Sequence, residues 1–281
     1  MPIERLDRAL ATRGLARSRT EAQALILAGQ VRVDGRPAEK AGQKVTDGAA
    51  LSVEGERLPY VSRGGLKLAA ALDAFGVPVA GRMALDVGAS TGGFTDCLLQ
   101  GGAARVAALD AGHGQMAPEI AADSRVQSRE GVNARSLSPA DFDAPFDLVV
   151  ADLSFISLTL VLPALAPLLR PDGDMILLVK PQFEVGQGGV GKGGVVRDPS
   201  LREGAVRRVS EAAATLGLAT RGRISSPIKG GDGNEEYLLW LQSRPEGVIG
   251  DVAEAEAAQE PVDGEGEDHV VEGLAADLVE P

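Results

Sequence analysis

Four short apolar runs between residues 83 and 180 constrain this chain most: Met83–Val87 (MALDV), Arg105–Leu109 (RVAAL), Asp147–Leu153 (DLVVADL) and Asp174–Lys180 (DMILLVK). Each is too short for a buried helix, and Ala- and Leu-rich helical stretches separate them. Strands apolar along their whole length are covered on both faces, and strands separated by helices run parallel. The expectation is an α/β domain with a mostly parallel sheet. The run Glu236–Leu241 (EYLLWL) closes it as an antiparallel last strand.

The turn after the first strand reads Asp86-Val87-Gly88-Ala89-Ser90-Thr91-Gly92-Gly93-Phe94. Glycines at a strand-to-helix turn let the backbone approach a ligand closely. The spacing G-x-x-x-G-G departs from the dinucleotide pattern G-x-G-x-x-G. Asp110 ends the next strand, 24 residues after Asp86, where a carboxylate accepts both hydroxyls of an adenosine ribose. Gly186–Gly193 (GQGGVGKG) is spaced like a phosphate-binding P-loop, but Gly193 stands where the Mg²⁺-ligating hydroxyl belongs. No strand runs directly into it, so nucleotide hydrolysis is set aside.

Charged residues mark the strand ends. Asp152 and Lys180 finish two strands, Glu236 begins the last, and Lys67 lies in the first turn of a helix expected over Leu66–Phe75. Ligands of open α/β sheets bind beyond the carboxyl ends of the parallel strands, and an antiparallel closing strand returns Glu236 to that edge. One lysine at a strand end is an ordinary solvated terminus; two lysines with two acids make a stronger pattern. Glu235 and Glu236 face opposite sides of a strand, so only one can serve.

Residues 1–57 read as a small separate domain, joined by the connector 58–65, in which Gly64-Gly65 restart the chain flexibly, to a domain over 66–245. Ile3, Leu6, Leu10 and Leu15 recur at roughly helical spacing, with Gly14 as C-cap. A second helix opens on the capping-box sequence Ser18-Arg19-Thr20-Glu21 and buries Ala22, Leu25 and Ile26. Asp34-Gly35 after Gln30–Val33 signals a hairpin, and a further strand follows at Ala50–Val53. Arg5, Arg8, Arg13, Arg17, Arg19, Arg32 and Arg36, with Lys40 and Lys44, suit RNA phosphates. They suit a salt-bridged face equally well, because acidic residues nearly match them.

The run from Arg5 to Val53, R-L-D-x-x-L-x-x-x-G-L-x-x-S-R-x-x-A and then L-I-x-x-G-x-V-x-V-D-G, resembles the S4 RNA-binding domain. That resemblance implies an α+β module whose helices face RNA, here through Arg5, Arg8, Arg17 and Arg19, with Arg63 of the connector. The turn D-x-G-x-x-x-G-G-F resembles motif I of Rossmann-like methyltransferases, especially the FtsJ-like group. It implies S-adenosyl-L-methionine held by Asp86, Gly88, Ala89, Ser90, Thr91, Gly92, Gly93, Phe94, Asp110, Asn133 and Asp152. Lys67, Asp152, Lys180 and Glu236 match the K-D-K-E tetrad of FtsJ-like 2′-O-methyltransferases. With SRGGLKL, DLSFISL, LLVKPQFEVG, VGKGGVVRD and GNEEY, the whole from Arg5 to Leu241 resembles the TlyA family of ribosomal-RNA cytidine 2′-O-methyltransferases, once labelled hemolysins. The family form G-N-x-E-[YF] selects Glu236 over Glu235.

The resemblance implies methylation of a cytidine 2′-hydroxyl in small- or large-subunit ribosomal RNA. Lys180 would accept or direct the hydroxyl proton, and no metal would enter the chemistry. His113, in the D-x-G-x-G-Q turn after Asp110, reads as a loop residue rather than a ligand, and Cys97 as packing.

A net charge of −12 looks wrong for an RNA partner until it is mapped. Glu246–Pro281 carries 12 acidic residues and no Lys or Arg, leaving 28 acidic and 28 basic residues in positions 1–245. The tail has the composition of a solvated disordered segment, either solubilising or guarding a basic surface as an RNA mimic. A single cysteine fits a reducing compartment, and no long apolar run or leader peptide is evident, so a cytoplasmic monomer without a membrane partner is expected. Two other classes compete: a non-catalytic RNA-binding ribosome-assembly factor, and a membrane-lytic toxin.

Overall fold

The computed structural model describes residues 3–243 except 17, 18, 28, 55–57, 192 and 232. Arg17, the Ser18 cap and the acidic tail therefore lie outside the described residues.

The amino-terminal block contains β1 (Ile3–Arg5), α1 (Leu6–Thr12), α2 (Arg19–Leu27), β2 (Val31–Val33), β3 (Arg36–Pro37), β4 (Lys44–Thr46) and β5 (Leu51–Val53). β1 pairs antiparallel with β4, and β3-β2-β5 form a second antiparallel sheet. Leu6, Leu10, Ala22, Ile26, Val31 and Val45 make its core. Asp34 and Gly35 both take positive φ (51° and 77°), the two-residue turn whose twist suits a hairpin.

The helical periodicity that includes Ile3 misleads at its start. Ile3 is 63% exposed and belongs to a strand, and the helix begins only at Leu6. That start puts Asp7 in the first turn, where its Oδ1 accepts the Arg8 amide at 3.0 Å and the helix dipole favours a carboxylate.

Asp7 is fully buried and organises this domain. Arg5 donates to it through Nε and Nη2 (3.0 and 3.1 Å), Gln23 through Nε2 (2.9 Å) and Arg19 through Nη2 (3.1 Å). The Arg5 hydrogen bonds lead in holding the carboxyl well below the usual range, against its burial. This stability is therefore present at neutral pH and is lost only as strong acid approaches the depressed folded value. Asp7→Asn is expected to cost about 2 kcal/mol by weakening charge-assisted bonds. Hydrogen exchange should show faster exchange in α1 and α2, with the large sheet unchanged.

The remaining elements are α3 (Gly64–Phe75), β6 (Met83–Val87), α4 (Gly93–Gln100), β7 (Arg105–Leu109), α5 (Pro118–Ala121), β8 (Val126–Arg129), β9 (Phe146–Ala151), α6 (Leu162–Leu165), β10 (Leu169–Val179), α7 (Pro181–Glu184), α8 (Pro199–Thr215), β11 (Leu218–Ser225) and β12 (Tyr237–Ser243). They build a seven-stranded sheet in the order β11-β12-β10-β9-β6-β7-β8. β10, β9, β6, β7 and β8 run parallel, and β12 is antiparallel to both neighbours. Chain order reverses beside β6, the switch point at which such sheets bind ligands.

Period-two alternation feeds two cores. Leu85, Val149 and Leu177 join Leu162, Val206 and Val209 on one face, while Ala84, Leu148 and Ile176 join Leu68, Ala71 and Leu98 on the other. The first core packs α6 and α8, the second α3 and α4.

Several boundaries differ from the sequence expectation. Asp152, Lys180 and Glu236 each lie one residue outside their strands, in the loops at one sheet edge. Helix α3 begins at Gly64 rather than Leu66, so Gly64-Gly65 are not a flexible restart. A side chain at Gly65 would put its Cβ 2.3 Å from the Tyr60 ring, and close packing is what requires glycine there. Strands β8 and β11 correspond to none of the expected strands. GQGGVGKG follows α7 rather than a strand, and the next helix begins only at Pro199, so it lacks the strand–loop–helix setting of a P-loop. Its Lys192 lies outside the described residues.

Candidate active site

The carboxyl ends of β6, β7 and β9 surround a cavity of about 580 Å³, lined by Gly88, Ser90, Asp110, Gln115, Asn133 and the segment 152–156, among others. Gly88 has φ +88°, and a Cβ there would lie 2.3 Å from the Asp152 carbonyl oxygen. Only glycine lets the turn after β6 pass so close to the end of β9. Asp110 is fixed by backbone: Oδ2 accepts the Ser90 amide at 2.8 Å and Oδ1 the Gly112 amide at 2.6 Å. Asn133 lines the cavity while its Oδ1 accepts the Arg135 amide at 3.0 Å.

Asp86 lies beneath the turn, fully buried. Thr95 donates to its Oδ2 at 2.6 Å, while Oδ1 is buried with no hydrogen-bond partner. Burial first, with Asp152 and Asp110 adding repulsion, pushes its carboxyl up to about 7 despite Thr95. Between roughly pH 4 and 7 the folded protein thus holds a proton that the unfolded chain has released, so stability falls as pH rises. Asp86→Asn is expected to flatten this fall and to raise the denaturation midpoint at pH 8, as urea titrations at several pH values will show.

A smaller cavity of about 240 Å³, lined by Ser62, Arg63, Lys67, Thr91, Phe94 and Asp152 among others, shares Gly88, Ser90 and Asp152 with the first. Two lysine–carboxylate pairs bound this junction. Lys67 Nζ donates to Glu236 Oε2 at 2.5 Å, with both groups buried. Lys180 Nζ lies 2.6 Å from Asp152 Oδ1 and donates to Ser154 Oγ at 3.0 Å. Asp152 Oδ1 has no aligned hydrogen bond, so the contact with Lys180 is an ion contact off the hydrogen-bond line. Asp152 links the two pairs, lining the cavity that holds Lys67 while touching Lys180.

Glu236 is the acid that meets Lys67. Its neighbour Glu235 turns away to Arg202 (3.1 Å) and Lys229 (3.9 Å). Gly88, Ala89, Ser90, Thr91, Gly93, Phe94, Asp110, Asn133 and Asp152 all line one cavity or both. Asp86 and Gly92 do not. Asp86 supports the turn from below, and Gly92, at φ +94°, caps α4 against Ile120. Arg5 and Arg19 remain more than half exposed beyond their Asp7 bonds, and Arg8 and Arg63 are exposed. Cys97 is buried in the core, where burial pushes its thiol up to about 12. Among the described residues no group of three His, Cys, Asp or Glu side chains could hold a metal ion.

Sequence reasoning missed the supports of the loop after β9. Glu184, buried in α7, accepts from Ser157 Oγ (2.5 Å) and the Leu158 amide (2.8 Å), tying that loop to the segment after Lys180. Burial raises its carboxyl, and these donors oppose the rise. The tie leaves Phe155 at φ +63° and 91% exposed on the cavity rim, its ring 5.2 Å from that of Phe183. An exposed aromatic in DLSFISL was the available signal.

Comparison with known proteins agrees with this architecture. Residues 60–243 match the model of the FtsJ-like methyltransferases, and residues 4–51 match the S4 domain. The 16S/23S rRNA (cytidine-2′-O)-methyltransferase TlyA of Mycobacterium tuberculosis is 53% identical over 247 residues, covering 87% of this chain and 92% of that protein. Hemolysin A of Brachyspira hyodysenteriae is 41% identical, covering 83% and 98%. A solved structure of a hemolysin-named protein from Streptococcus thermophilus superposes with a TM-score of 0.70 at 43% identity, covering 87% and 90%. No helix of the described residues is long and apolar enough to cross a membrane. The chain belongs to the TlyA family of FtsJ-like methyltransferases that carry an S4 domain.

Proposed function

We propose that this enzyme transfers the methyl group of S-adenosyl-L-methionine to the 2′-oxygen of a cytidine ribose in ribosomal RNA, acting on ribosomal subunits in the cytoplasm. The observation that carries this reading is the pair of lysine–carboxylate contacts at the junction of two cavities. The larger cavity fits the cofactor: glycine at position 88 keeps the turn open, and Asp110, Asn133 and Asp152 offer polar groups around it. S-adenosylmethionine supplies, when bound, a methyl group already activated on a sulfonium.

The protein's own task is alignment and proton handling. Lys180 acts on the 2′-hydroxyl. Asp152 and Ser154 hold its amine in one place, and Glu236 does the same for Lys67. The exposed Phe155 ring offers a face on which a base can stack. Arg5, Arg8, Arg19 and Arg63 bind RNA phosphates, and the bidentate grip of Asp7 fixes the Arg5 guanidinium. The amino-terminal domain to about residue 57 thus recruits RNA, and the domain from about 66 to 245 modifies it.

Tritiated S-adenosylmethionine incubated with ribosomal subunits from cells lacking this gene tests the reading. Label should enter the ribosomal RNA. Label in ribosomal protein, or in neither fraction, contradicts it.

A further inference from the structure

A cavity of about 350 Å³ lies apart from the two described above, lined by Val195, Val196, Arg197, Arg202, Lys229, Gly233 and Glu235. Among the described residues, three cations thus face one acid. Arg202 Nη2 sits 3.1 Å from Glu235, and Lys229 Nζ 3.9 Å from the same carboxylate. Arg202 Nη1 also donates to the Arg197 carbonyl at 3.2 Å, and its Nε is buried without a partner. Arg197 is exposed and makes no ion pair among the described residues.

The cavity is built rather than accidental. Asn234, 1% exposed, receives the Val196 amide on Oδ1 and donates through Nδ2 to the Gly194 carbonyl, both at 2.9 Å. This side chain stitches the loop before α8 to the loop before β12. The same second loop carries Lys229 and Glu235 and ends in Glu236, so it joins the cavity to the Lys67–Glu236 pair. α8 runs back along the sheet between parallel β10 and β11, which places its amino end at the edge carrying Asp152 and Lys180.

We infer that this cavity is a phosphate subsite, which receives a backbone phosphodiester of the RNA near the nucleotide being methylated. The inference rests on the reading of the protein as an RNA methyltransferase. Guanidinium and ammonium groups suit a phosphodiester, and Arg197, Arg202 and Lys229 are separate from the Lys67–Glu236 and Lys180–Asp152 pairs. Glu235 occupies the cations until RNA displaces it, which keeps the subsite weak and dependent on substrate contacts elsewhere.

The test measures binding of a short fluorescein-labelled single-stranded RNA to the full chain by anisotropy across a salt series. The variants are the double substitution Arg197→Ala with Lys229→Ala, and separately Glu235→Gln. The double variant should bind roughly tenfold more weakly, with the slope of log K against log salt shallower by about 0.7 for each phosphate that is no longer neutralised. Glu235→Gln should bind more tightly than wild type. With ribosomal RNA as substrate the double variant should raise KM and leave kcat unchanged. An unchanged salt slope and KM in the double variant, or unaltered affinity in Glu235→Gln, overturns the subsite. A wild-type protein that binds RNA with these variant effects but transfers no methyl would overturn the proposed function and leave the subsite standing.

Discussion

Lys180→Ala is expected to lower methyl transfer by about 10³-fold, the scale on which a positioned proton-handling group contributes, and to leave S-adenosylmethionine affinity close to wild type. The reason is geometric. Lys180 touches Asp152 and Ser154 but lines neither cavity, so its removal spares the cofactor walls. Lys180→Arg separates the two roles open to the amine. A guanidinium still donates to an oxygen but does not accept a proton at neutral pH. Substantial activity in Lys180→Arg would identify a steering donor, and activity as low as in Lys180→Ala a proton acceptor. Single-turnover rates and cofactor titration calorimetry measure both quantities. Wild-type turnover in Lys180→Ala would remove the residue from the mechanism.

Glu236→Ala should be the most destabilising single change at the site. It strands the Lys67 ammonium, whose side chain is only 10% exposed, without its partner. Breaking a buried pair from one side costs about 3–5 kcal/mol, whereas replacing both partners by apolar groups of similar size is often neutral. Lys67→Met combined with Glu236→Leu should therefore recover most of the stability and none of the activity. Urea denaturation and the methyl-transfer assay together read this pattern. Recovery of both stability and activity in the double variant would show that the pair only supports the fold. A normal denaturation midpoint in Glu236→Ala would show that Lys67 finds another partner.

The sheet was readable where it is apolar. MALDV, RVAAL, DLVVADL and DMILLVK are buried on both faces, so sequence and environment agree. The edge strands were not readable, because VQSR in β8 and LATRGRIS in β11 are polar enough to pass for loop. Ile3 extended a helical period across a strand because periodicity does not see the pairing of β1 with β4. At the site, Asp152, Lys180 and Glu236 stood out by their places at strand ends and Lys67 by the tetrad it completes, yet which lysine meets which acid did not. Lys67 and Glu236 are 169 positions apart, and their pairing follows from α3 packing across β12. The burial of Asp86 beneath the turn, rather than in the cavity wall, also required coordinates. So did Glu184, whose hold on the loop after β9 depends on two loops meeting beyond the sheet edge.

The most direct test of the central claim is the chemical position of the methyl group. Ribosomal RNA labelled by this enzyme from tritiated S-adenosylmethionine is hydrolysed with alkali, which cannot cleave beside a ribose whose 2′-oxygen is methylated. The account predicts that the label is recovered in alkali-resistant dinucleotides that yield 2′-O-methylcytidine on complete digestion. Label recovered in base-methylated mononucleotides contradicts it.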